Sequence, residues 1–167
     1  MPKANLLVPE GEFAALTHCY NLERCGGTGA VLGIAIGAYD RALEYVQTRQ
    51  QFGKPLVNFQ AVQLKLADMA AQIHAARLML YDALSTAEGH YPSPIKASIT
   101  KVFGNEAAKY VSDTALQLFG GAGYLKESGI EQRYRVVRGY SIAGGPLDIH
   151  RTMIAGWLTG QRFSQWA

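Results

Sequence analysis

Charge is what this sequence has least of. Asp, Glu, Lys and Arg make up 17% of its 167 residues, against a usual ~25%. A surface so poor in charge is expected to be covered in part by partners. The net charge of +3 comes without any Lys/Arg cluster, which argues against a nucleic-acid partner. Cysteine is almost missing too. Cys19 and Cys25 make neither a disulfide framework nor a zinc pattern, and such sparing use favours a reducing, cytoplasmic setting. No apolar run reaches the ~18 residues of a membrane span. The opening MPKANLLVPEGE has neither a signal peptide's apolar core nor a transit peptide's arginine-rich face. His18, His74, His90 and His150 fall at no metal-ligand spacing, so no metal site is expected. What remains is an apolar chain, 49% hydrophobic, which excludes disorder. At this length one domain buries roughly two-thirds of its unfolded surface and needs no staples.

Strand alternation is also lacking, and helical spacing takes its place. Residues 1–12 read as an extended lead-in, because Pro2 and Pro9 exclude a helix interior. A proline-free stretch then predicts a helix over 13–50, with Leu32, Ala35, Ile36, Tyr39, Leu43 and Val46 recurring by threes and fours. Gly29, Gly33 and Gly37 fall four apart on it, suited either to tight helix packing or to close approach of a flat ligand. Gly53 suits its C-cap, and Pro55 ends the run. A second helix is predicted over 59–87, with Phe59, Val62, Leu66, Met69, Ile73, Ala76, Leu80 and Leu84 as its stripe. A third is predicted over 94–119, with Ile99, Val102, Phe103, Ala107, Tyr110, Val111, Thr114 and Leu118 inward. Shorter helices are expected over 130–138 and 147–162. The fold class is therefore all-α, an antiparallel four-helix bundle filling 13–167.

Two glycine loops punctuate the helices. Gly120-Gly121-Ala122-Gly123 follows a helix rather than a strand, so it is no dinucleotide fingerprint. It is either a plain structural loop or a cradle of N–H groups for an anion. Arg49, just before Gly53, is a suitable pyrophosphate partner. The second loop is Ile142-Ala143-Gly144-Gly145-Pro146.

The order of these segments is more specific than any one of them. Arg49-Gln50-Gln51-Phe52-Gly53-Lys54 precedes Phe59-Gln60-Ala61-Val62-Gln63 and Leu66-Ala67-Asp68-Met69. Gln117-Leu118-Phe119-Gly120-Gly121-Ala122-Gly123-Tyr124 follows, and then Gly145-Pro146-Leu147-Asp148-Ile149-His150-Arg151. The series closely resembles the C-terminal helical domain of acyl-CoA dehydrogenases, whose patterns are R-x-x-F-G-K, F-Q-x-x-Q, L-A-D-M, Q-x-x-G-G-x-G-Y and G-T-x-x-I-x-R. The likeness runs from Asn5 onward. It implies that residues 1–12 are the exit from a middle β-domain, which this chain lacks along with the N-terminal helical domain.

The resemblance also implies FAD as cofactor. The flavin's pyrophosphate and adenosine end would meet Arg49, Gln51, Phe52, Gln117, Gly120 and Gly121 of a neighbouring subunit, with Leu56, Phe59 and Gln60 lining the same region. Gln60 and Gln117 also suit an ordinary polar helix surface. Most members place the catalytic Glu just before the G-T pair, where this chain has Gly144. A minority, resembling isovaleryl-CoA and long-chain acyl-CoA dehydrogenases, take the base from an L-E-R segment on the first helix. Leu22-Glu23-Arg24 matches it, which makes Glu23 the candidate base and Arg24, Gly144 and Gly145 candidate substrate contacts. Otherwise Glu23 is an early-helix carboxylate favoured by the dipole. Glu10, Glu12 and Asp40 are the competing acids.

The implied activity is α,β-dehydrogenation of an acyl-CoA thioester, with electron-transfer flavoprotein as acceptor. The implied assembly is a homodimer or homotetramer, or a complex with a subunit carrying the missing domains. Two other readings stay open: a non-catalytic, heteromer-completing helical subunit, and a flavin enzyme acting on a carrier-protein thioester. Pro146 in place of the family's Thr, and Arg135-Val136 in place of its Arg-Asp, depart from the pattern.

Overall fold

The computed structural model describes every residue except 1, 7, 10, 88–90 and 164–167, and only the backbone of 13–15. Six α-helices follow in order: α1 (Phe13–Thr48), α2 (Gln60–Ser85), α3 (Pro94–Phe119), α4 (Gly121–Tyr124), α5 (Ile130–Tyr140) and α6 (Leu147–Thr159). A minute antiparallel hairpin, β1 (Gln50–Gln51) and β2 (Lys54–Pro55), joins α1 to α2.

Cross-helix contacts fix the topology. Gly29 of α1 meets Leu80 of α2. Thr100 donates to the Met79 carbonyl, and Lys96 pairs with Asp82, so α2 and α3 run antiparallel. Thr28 packs on Gly104, and Tyr45 stacks on Phe119 at 4.2 Å, so α1 and α3 run parallel. Gly27 faces Tyr140 and Gly37 faces Arg133, which sets α5 antiparallel to α1. These four helices form the antiparallel bundle, and α6 packs on α3.

Small side chains make the centre. Ala35, Ala38 and Ala42 of α1, and Ala107, Ala108 and Ala115 of α3, are buried with Val31, Met69 and Val111. Alanine costs no side-chain entropy in a helix and lets backbones approach. Gly104 is the closest point of all. A Cβ there would run into the Thr28 methyl.

Most element boundaries lie within two residues of expectation, and each larger difference has a local cause. Helix α1 stops at Thr48, with Arg49 already extended at φ −69° and ψ 127°. Gly53 is therefore not its C-cap. It is the second turn residue of the hairpin, at φ +78°, after Phe52 at φ +52°. Both central residues at positive φ match the twist of a two-residue hairpin. On α2 the buried set ends at Ala83 rather than Leu84, which is 41% exposed. On α3, Tyr110 is 40% exposed, and the innermost face instead carries Ala97, Lys101, Gly104, Ala108, Val111 and Ala115. Helix α6 closes at Gly160 in the left-handed region, short of 162. The lead-in holds one 3-10 turn, Lys3–Asn5, among its described residues.

Two glycines should respond oppositely to alanine. Gly104→Ala should lower the urea midpoint by an amount worth ~1–3 kcal/mol, the usual cost of overpacking. Gly33 has nothing within 4 Å of a built Cβ. There alanine should stabilise by up to ~1 kcal/mol through helix propensity. Equal signs in denaturant titrations would contradict this packing.

Candidate functional site

The expected site residues fall at two ends of one rod. Glu23 and Arg49 are 26 positions apart, and a helix rises 1.5 Å per residue, so roughly 39 Å separates them. Near the first end, Glu23, Arg24, Gly144 and Gly145 come together. At the other end are Arg49, Gln51, Phe52, Leu56, Phe59 and Gln60. The Tyr45–Phe119 stack brings the C-terminus of α3, with Gln117, Gly120 and Gly121, to that same end.

At the first end the chain between α5 and α6 folds back over α1 and α3. Ile142 and Ala143 N–H groups donate to the Gly139 carbonyl at 3.0 and 3.1 Å. Gly144 and Gly145 then turn through φ +64° and +96°, conformations that L side chains rarely adopt. The Glu23 carboxylate occupies the ground in front of them. A Cβ built on Gly144 would lie 2.6 and 2.8 Å from its two oxygens, and 2.9 Å from Lys101 Nζ. A Cβ on Gly27, one turn along α1, would be 3.5 Å from Glu23 Oε1. That distance is ordinary contact, so Gly144 alone leaves the room the carboxylate fills, and a side chain at 144 and this placement of Glu23 exclude each other. The Glu23 residue itself is exposed. Of the competing acids, Glu12 and Asp40 are exposed, and Glu10 lies outside the described residues.

Two cations, Arg24 and Lys101, stand near this carboxylate without forming an ion pair with it. Arg24 is half-buried and donates from Nη1 to Asn21 Oδ1 at 2.8 Å. Its buried Nε has no hydrogen-bond partner. Lys101 is 4% exposed and donates to the Ala143 carbonyl at 2.5 Å. Burial pushes its ammonium below the ordinary range, Glu23 opposes that shift, and Arg24 adds to it. Beneath Gly145 lies His150, fully buried, with Nδ1 3.3 Å from Ser98 Oγ. Burial, then the charges of Arg24 and Lys101, push its imidazole down to about 4, against a weaker opposing effect of the Gly144 backbone as hydrogen-bond acceptor. Arg151 bonds Glu106 Oε1 at 2.9 Å and Asp148 Oδ1 at 2.8 Å, tying α6 to α3. Pro146 serves as the extended residue before α6, and its carbonyl accepts from Ile149 N–H at 3.0 Å.

The sequence reading missed Lys101, Ser98 and His150 as members of this cluster. A signal for Lys101 existed. Ala97, Lys101, Gly104, Ala108, Val111 and Ala115 alternate by four and three, so the lysine stands in a small-residue stripe where no exposed lysine belongs.

The second end is open. Arg49, Gln51, Gln60, Gln117, Gly120 and Gly121 are all exposed, and neither glycine has an atom within 4 Å of a built Cβ. Leu56 is half-buried and donates its N–H to the Arg49 carbonyl at 2.9 Å. Phe52 is 92% exposed despite its left-handed backbone, and its ring stands edge-on to Phe59 at 6.3 Å. Lys54 Nζ sits 4.2 Å over the Phe59 ring. The Gly120 N–H is spent on the Leu116 and Gln117 carbonyls, both at 3.1 Å, so what this end offers a nucleotide with its pyrophosphate is an exposed aromatic ring and an arginine beside two glycines without side chains. Of the two purposes considered for the glycine stripe on α1, close packing is seen at two of its three positions. Gly29 and Gly37 pack against Leu80 and Arg133, while Gly33 floors a groove of about 450 Å³ between α1 and α5.

The buried imidazole gives a signed pH dependence. Its folded value of about 4 is below the ordinary 6.5, so the unfolded chain binds more protons between those two values. Stability is then fully present above pH ~6.5 and falls by up to ~3 kcal/mol as pH drops toward 4. Urea midpoints across this window should show the slope, and His150→Gln should flatten it.

Comparison with known proteins agrees with this geometry. Residues 13–159 match the family model described as acyl-CoA dehydrogenase, C-terminal domain. The chain is 43% identical over 156 residues to 3-sulfinopropanoyl-CoA desulfinase of Paraburkholderia xenovorans (strain LB400), covering 93% of this chain and 40% of that protein. Butyryl-CoA dehydrogenase from Megasphaera elsdenii superimposes with a TM-score of 0.87 at 34% identity, over 95% of this chain and 42% of that one. Glutaryl-CoA dehydrogenase from Mycobacterium smegmatis in complex with FADH2 does so at 0.83 and 26% identity, over 87% and 38%. The chain thus spans about two-fifths of the length of these relatives. The all-α bundle, the paired glycine loops and the family match converge: the chain belongs to the acyl-CoA dehydrogenase family and forms its C-terminal helical domain.

Proposed function

We propose that this chain supplies the C-terminal part of a flavin-dependent acyl-CoA dehydrogenase, with Glu23 as the base that removes the α-proton of an acyl-CoA thioester. The observation that carries this reading is the carboxylate of Glu23 lying where a side chain at position 144 would begin. Proton transfer from a thioester α-carbon needs an ionised carboxylate within contact of that carbon. Gly144 has none to offer, and Glu23 points to the same spot. FAD, when bound, supplies the acceptor for the hydride that leaves the β-carbon. Arg49, Gln51, Phe52, Gln117, Gly120 and Gly121 would hold its pyrophosphate and adenosine from a neighbouring subunit, beside Leu56, Phe59 and Gln60. Arg24, Gly144 and Gly145 would line the thioester side.

The proposed partners are a second copy of the chain, or a subunit carrying an N-terminal helical and a middle β-domain, with electron-transfer flavoprotein as the redox acceptor. Leu78 and Tyr81 on α2, and Trp157 and Leu158 on α6, are exposed apolar residues suited to such contacts. No helix among the described residues is long and apolar enough to cross a membrane.

A second reading has its own support. Relatives named 3-sulfinopropanoyl-CoA desulfinase share 38–43% identity with the chain. Desulfination of a 3-sulfinopropanoyl thioester is therefore the competing reaction on the same scaffold. Product analysis separates the two: sulfite release from that thioester, or bleaching of the flavin by a saturated acyl-CoA.

In the complete enzyme, Glu23→Gln preserves shape and removes the base. Stopped-flow flavin reduction should slow by ~10²–10⁴-fold, with acyl-CoA affinity little changed. Reduction at the parental rate would place the base elsewhere.

A further inference from the structure

Lys101 is a buried cation that no step above uses. An ammonium loses much of its hydration on burial, and a chain tolerates that only where the charge is needed or well compensated. Lys101 sits among alanines and a glycine on the inner face of α3, at 4% exposure. Its Nζ donates to the carbonyl of Ala143, the residue immediately before the Gly144–Gly145 turn. The same nitrogen and both oxygens of Glu23 converge on one point in front of Gly144.

The other groups around that point come from every neighbouring element. From α1 come Glu23, Arg24 and Asn21. From α3 comes Ser98, from α5 Tyr140, and from α6 the neutral imidazole of His150. Among these groups Glu23 is the one anion, facing the two cations Arg24 and Lys101. A carboxylate on the exposed side of α1 has many rotamers, and the one Glu23 adopts folds toward the turn.

We propose that Lys101 is a positioning residue: its ammonium pins the Ala143 carbonyl, so fixing the glycine turn, and its charge, without a direct ion pair, draws the Glu23 carboxylate toward Gly144. One charge then sets both walls of the place where the thioester α-carbon would lie. For catalysis this rests on Glu23 being the base. The anchoring of the turn and of the carboxylate stands independently of it.

Nuclear magnetic resonance of the 167-residue chain tests the anchoring. In Lys101→Met, the His150 titration midpoint should rise, because one of the cations that depresses it is gone, and exchange of the Ile142 and Ala143 amides, which donate to the Gly139 carbonyl, should speed up at least tenfold. Lys101→Arg should restore the lower midpoint. Should Lys101→Met fail to fold, the parental lysine carries the test: Glu23→Gln should lower the Lys101 ε-ammonium midpoint. Midpoints and exchange rates unmoved by these changes overturn the proposal.

In the complete enzyme, Lys101→Met should cut the flavin reduction rate by ~10–100-fold, as expected for a misplaced reacting group. It should leave KM nearly unchanged. If Glu23→Gln reduces flavin normally while the resonance shifts appear, the base assignment fails and the anchoring survives. If Glu23→Gln is slow and the shifts are missing, Lys101 has no positioning role.

Discussion

The parallel contact between α1 and α3 is the constraint on which the molecule depends. It requires two long helices to lie so close that Gly104 meets the side chain of Thr28, and it is lined by alanines on both sides. Parallel neighbours cannot be joined by a short loop, so α2 must carry the chain back along the bundle between them. The register of this one contact then decides what shares each end. It sets Lys101 level with the turn of α1 that bears Glu23, and Phe119 level with Tyr45. Sliding α3 by one turn would move its charges ~5.4 Å and dissolve both clusters.

The charge arrangement follows from that register. A carboxylate at the surface of α1 gains little from water-screened neighbours. Here its neighbours are partly withdrawn from water, and burial weakens the ammonium of Lys101 and the imidazole of His150 in the same direction. His150 gives up its charge, and Lys101 is supported by Glu23. The outcome is a group of residues in which only one partner is anionic, and that partner is the one at the mouth.

The long helices were legible because their punctuation is unambiguous. Pro94 at the first turn and Gly120 just past the end bracket α3 on both sides. The hairpin was not legible. The same Gly53 that suits a helix C-cap also suits a tight turn, and the choice turns on Phe52 adopting a positive φ that nothing in its side chain favours. The face of α3 was half legible. Apolar spacing pointed to Ala107, Val111 and Leu118, but the helix is enclosed on so many sides that polar Ser98, Lys101 and Asn105 are buried too. Helical spacing marks Lys101 as lying in an inward stripe, but what meets its charge depends on the other elements packed around it. Glu23 and Gly144 were legible as a pair through family resemblance alone. Their physical link, a carboxylate in the space of a missing side chain, needed coordinates.

The unbroken length of α1 has one more consequence. Its 36 residues make a rod of about 54 Å, with the carboxylate end and the arginine end fixed rigidly apart. No bending of a single copy can fold one end onto the other. In the assembly proposed above, each copy would contribute its two ends to two different sites. Two chains, one damaged at Glu23 and the other at Arg49, would between them regenerate an intact site, whereas either alone would have none.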